Sequence, residues 1–83
     1  MRIMRIYYLG KNKEEGIESP VAVIEWKNKE EEKAQRVLDA LDANAYTTDC
    51  LTGDGETSWA WFNVYDRDDY EEMKEVYLEA KRA

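Results

Sequence analysis

The sequence predicts an α+β domain of order ββαββα, a four-stranded antiparallel sheet with two helices packed on one face. Three observations predict it. Segments 2–9, 21–27, 46–52 and 57–65 alternate apolar and polar residues or concentrate β-branched and aromatic ones. Two other segments, opening at Asn28 and near Asp66, place apolar residues at helical spacing. Between the third and fourth strands lies Gly53-Asp54-Gly55-Glu56, a run of turn-forming residues. The 83 residues leave room for one domain, 1–83.

In the first strand Ile3, Arg5, Tyr7 and Leu9 share one face, and Met4, Ile6 and Tyr8 share the other. Both faces are largely apolar, which suits a central place in the sheet. Residues 10–20, with Gly10, Gly16 and Pro20, read as a hairpin loop. Val21 to Lys27 form the second strand. Asn28 is placed to cap the first helix, with Glu31 completing a capping box. Ala34, Val37, Leu38, Leu41 and Ala45 make its apolar face, and Asn44 suits a left-handed C-terminal cap. In the fourth strand Ala60, Phe62 and Val64 alternate with Trp59, Trp61, Asn63 and Tyr65. Asp66 or Asp68 can cap the last helix, with Asp69 or Glu71 three residues on, and its apolar stripe is Tyr70, Met73, Val76, Tyr77 and Ala80.

The repeated order suggests two ββα units, 1–44 and 45–83. At an offset of 39, Tyr7 meets Tyr46, Gly16 meets Gly55, Ser19 meets Ser58, Glu32 meets Glu71 and Val37 meets Val76. Five identities are only modestly more than chance supplies, and an order this common does not carry function.

Composition narrows the function classes. Acids number 19 and bases 12, for a net charge of −7, which argues against direct nucleic-acid binding and against an anionic membrane surface. With 43% hydrophobic and 12% aromatic residues the chain can build a core and is not a disordered tail. No segment has the roughly 20 apolar residues of a membrane span. The expected compartment is the cytoplasm (of the host, if the chain is phage-encoded), because a single cysteine forms no internal disulfide.

The motifs for catalysis are missing. There is no histidine to serve as base or metal ligand. Cys50 has no partner base and reads as a small buried hydrophobe on the third strand. Residues Asp49 to Glu56 superficially resemble a calcium loop, but Cys50 and Leu51 interrupt the oxygen ligands and the length is wrong, so a glycine-rich turn is expected. No enzyme, metal or cofactor is expected.

Charge distribution is the informative feature. Residues 1–36 hold 8 bases and 7 acids, and residues 37–83 hold 4 bases and 12 acids. The first helix can pair Glu30 with Lys33, Glu32 with Arg36 and Arg36 with Asp39. The last region instead carries seven acids: Asp66, Asp68, Asp69, Glu71, Glu72, Glu75 and Glu79. The pairs Asp68–Glu72, Glu71–Glu75 and Glu75–Glu79 each cost about 0.2–0.5 kcal/mol. The helix dipole compensates acids in the first turn but not Glu72, Glu75 and Glu79. A plainly solvated face accounts for the charges equally well.

Trp59, Trp61 and Tyr65 are candidate apolar anchors on the open face of the sheet. The opposite assignment, with the tryptophans in the core, and a homodimer through the open face are the competing readings. The leading reading is a non-catalytic protein that occludes a basic, nucleic-acid-handling partner protein. In size and charge this is the manner of the nucleic-acid-mimic inhibitors of phages and mobile elements, such as anti-restriction and anti-CRISPR proteins. The alternative is a structural or regulatory module that homodimerises through its open sheet face.

Overall fold

A computed structural model describes residues 4–11, 14 and 16–82. The elements are β1 (Met4–Leu9), β2 (Val21–Lys27), a 3-10 turn (Asn28–Glu30), α1 (Glu31–Ala43), β3 (Cys50–Gly53), β4 (Thr57–Asn63) and α2 (Arg67–Arg82). All strand pairs are antiparallel, in the order β1-β2-β4-β3, so the fold is the expected α+β arrangement. Residues 2 and 3 of the expected first strand lie outside the described residues.

Strand register decides which residues meet the helices. Ile24 pairs with Ile6 on one side and Ala60 on the other, and Ala22 pairs with Tyr8 and Phe62. With Met4, Trp26 and Val64 these side chains form the helix-facing layer, and most are fully buried. α1 contributes Ala34, Val37, Leu38 and Leu41, and α2 contributes Tyr70, Met73 and Tyr77. The helical periodicity gave the inner faces except at Ala45, which lies past the end of α1 and is exposed; on α2, Val76 and Ala80 are only partly buried. The expectation that Ala60, Phe62 and Val64 point inward holds, and Trp59 and Trp61 lie on the other side of the sheet.

Several local expectations are corrected. β1 is an edge strand, not a central one. Its second apolar face exists because Tyr7 and Leu9 extend the open side of the sheet beside Val23 and Val21. Asn28 does not cap α1: it begins the 3-10 turn, and its side-chain oxygen accepts instead from Ser58 Oγ at 2.6 Å. Glu31 likewise serves the core, accepting from Trp26 Nε1 at 2.7 Å. A buried indole N–H needs an acceptor, and that need outweighs the capping box.

The left-handed residue after α1 is Ala45 (φ 68°), not Asn44. Ala45 N donates to Asp42 O at 3.0 Å, and Tyr46 N donates to Leu41 O at 2.9 Å, the pattern of a Schellman ending. Asn44 uses its side chain to reach Ala40 O. Tyr46 then packs against the core instead of starting a strand, so β3 begins at Cys50 rather than at residue 46. Cys50 is exposed, not buried, because no layer covers that edge strand. The β3–β4 turn forms as expected: Asp54 Oδ1 accepts from the backbone N–H of Glu56 and Thr57, and Gly55 takes φ 96°.

An alanine held at positive φ carries strain of about 1–2 kcal/mol that glycine does not. Ala45→Gly is therefore expected to raise stability by about 0.5–1 kcal/mol, after glycine's extra unfolded-state freedom is counted. Urea denaturation checks this, and a fall in the midpoint would show that the ending of α1 is not under strain.

Candidate functional site

The nine residues singled out from the sequence fall on two opposite sides of the sheet. Trp59 and Trp61 are on the open side. The seven acids belong to α2 and the residue before it, on the helix side. A flat partner surface cannot touch both sets at once.

On the open side the tryptophans are already engaged within the chain. Trp59 Nε1 donates to Glu25 Oε1 at 2.9 Å, across the β2–β4 pair. Trp61 Nε1 donates to Thr52 Oγ1 at 3.2 Å on β3. Glu25 also accepts from Arg5 Nε at 3.0 Å and Arg5 Nη2 at 3.3 Å, and the Arg5 guanidinium lies 5.0 Å from the Tyr7 ring centroid. Val23, flanked by Tyr7 and Trp61, is 0% exposed although no helix covers this side. Both indoles are half-buried. The residues of this side shield one another, which is how a one-sided sheet limits its wet apolar area.

The Arg5 guanidinium, through its hydrogen bonds to the carboxylate, holds the Glu25 pKa below the ordinary glutamate value; partial burial opposes this, and the Trp59 N–H adds to it. Asp54 is lowered too, mainly by the backbone N–H groups of Thr57 and Glu56.

On the helix side the acids divide by role. Asp66 accepts from Asp69 N at 2.9 Å, and Asp69 Oδ2 accepts from Tyr65 N at 3.0 Å. These two carboxylates cap α2, and one of the alternatives read from the sequence, Asp66 with Asp69, is the pair that forms. Asp68, Glu71, Glu72, Glu75 and Glu79 are exposed. At 3.6 residues per turn these five project within an arc of about 100°, opposite Tyr70, Met73 and Tyr77. They form one stripe. It is partly neutralised: Arg67 reaches Glu71 at 3.4 Å, both well exposed, a pair that contributes little, and Arg82, three residues past Glu79, falls in the same arc. Arg67 is also drawn to the rings of Tyr8 and Tyr70, at 5.2 and 5.7 Å. Lys81 donates to Met4 O at 3.1 Å.

Two further features adjoin the stripe. α1 has no basic residue in its last turn, and Asp39 and Asp42 lie there, at the end where the helix dipole is already negative. The pairings expected on α1 are not among the ion pairs of the described residues; Asp39 accepts instead from Gln35 at 3.2 Å. Tyr46, just past that end, has its phenol pKa raised by burial and by the negative charges of Asp69 and Glu72. The segment just after α1 therefore sits beside the start of α2. The α1 C-terminus without a lysine or arginine was present in the sequence as a signal. The second feature is Tyr65, 92% exposed, directly before the cap of α2. It shares alternation with the tryptophans, but β4 ends at Asn63, so it does not lie on their platform.

Among the described residues no three His, Cys, Asp or Glu side chains gather as a metal site, and no helix is long and apolar enough to cross a membrane. No family model matches the chain, nor does any curated protein or solved structure.

The sign of one pH effect follows from Glu25. Its pKa is depressed in the fold, so its contribution is complete above the unfolded-state value of about 4.3 and is lost as pH falls through the lower folded value. Glu25→Gln should be less stable than the parent at pH 7. The two should converge as the solution is acidified below about pH 4. Chemical denaturation followed by tryptophan fluorescence at several pH values measures this, and a gap that stays constant with pH would refute the assignment.

Proposed function

We propose that this chain is a non-catalytic binding protein whose α2 stripe occludes a cationic surface on a nucleic-acid-handling partner protein. The observation that supports this reading is the alignment of Asp68, Glu71, Glu72, Glu75 and Glu79 on one exposed side of a rigid helix. From Asp68 to Glu79 the helix rises about 16 Å, at 1.5 Å per residue. Five carboxylates over that length give one charge about every 4 Å. One strand of a nucleic-acid duplex presents a phosphate about every 3.4 Å along its axis. A surface arranged to receive one such strand meets a comparable line of charge here, carried on a protein.

Energetics point the same way. The stripe holds three like-charge pairs four residues apart, and together they cost about 0.6–1.5 kcal/mol. A domain of this size is stabilised by only about 4–12 kcal/mol. A helix optimised for stability alone would interleave lysines there. Attraction to a partner would act mainly on encounter rate and register, and would weaken as the screening length falls from about 10 Å at 0.1 M salt to about 3 Å at 1 M. Tyr65, 92% exposed and directly before the cap of α2, is an apolar anchor nearer in the chain to the stripe than Trp59 or Trp61.

The homodimer reading has less support. The four strands, of six, seven, four and seven residues, present roughly 400 Å² per face, from spacings of about 4.8 and 3.4 Å. A standard interface takes about 800 Å² from each partner. The open face falls short by about half, and its indole N–H groups are already bonded.

Three measurements test the proposal. Replacing Glu72, Glu75 and Glu79 together by lysine is expected to abolish partner capture from a native-host lysate at low salt while circular dichroism stays the same. Retention of the same proteins by the triple variant would sink the reading. Glu75→Lys alone removes two like-charge pairs and should raise thermal stability by about 0.5–1 kcal/mol, more at low salt than at high. Light scattering should give a particle near 9.8 kDa. Twice that mass, reduced by Trp59→Ala with Trp61→Ala, would move the interface to the sheet.

A further inference from the structure

We draw no further inference here: the strongest candidate, the open sheet face where Tyr7, Val23, Cys50, Trp59 and Trp61 lie side by side, is satisfied by its own hydrogen bonds and packing, and nothing in the structure shows what covers it.

Discussion

Two helices can cover only one side of a four-stranded sheet, and the rest of the molecule answers that constraint. On the covered side, Ala22, Ile24, Ala60 and Phe62 form a dry central pair of strands under α1 and α2. Water meets the other side directly. There the two indoles give their N–H groups to Glu25 and Thr52, and Val23 is sealed by its neighbours. Buried polar groups are tolerable when bonded, so this side can be aromatic without being an exposed oily patch. The charged row Arg5–Glu25 fixes one indole in place while keeping the surface wettable.

α2 has two duties that pull apart. Its inner side needs Tyr70, Met73 and Tyr77 to close the core, and its N-terminus needs Asp66 and Asp69 to satisfy free N–H groups. Neither duty requires the outer carboxylates. Arg67 and Lys81 could have offset them, yet both also turn toward β1, one to the rings of Tyr8 and Tyr70 and one to a backbone carbonyl. Arg67 is shared between those rings and Glu71, so the cations near the start of the helix offset the outer acids only in part. The final turn of α1 likewise has acids and no base.

Much of the architecture was legible from periodicity and turn residues. Val21–Lys27 was placed to the residue, because an apolar β-branched run is bounded by Pro20 and by a helix start. The inner positions of both helices followed from spacing. What escaped was set by tertiary needs: Glu31 was drawn away from a local cap by the Trp26 indole, and Ala45 accepted an unfavourable backbone so that Tyr46 could reach the core. Edge placement of β1 could not be read from its two apolar faces, since an open sheet face can be apolar as well. For the candidate site, the acids and their spacing were plain in the sequence. Their separation from the tryptophans by the thickness of the sheet also followed once the helix side was assigned. The junction of the two helix ends did not, because it depends on how α1 and α2 lie together.

Two contacts tie the final helix to the first strand. Lys81 bonds the backbone of Met4, 77 positions earlier, and the Tyr70 ring packs against that of Tyr8 at 5.3 Å, tilted by 50°. The first hairpin therefore borrows the roof over its outer strand from the final helix. During synthesis the opening strand stays uncovered on that side until α2 has emerged, so its cover is a long-range contact made late.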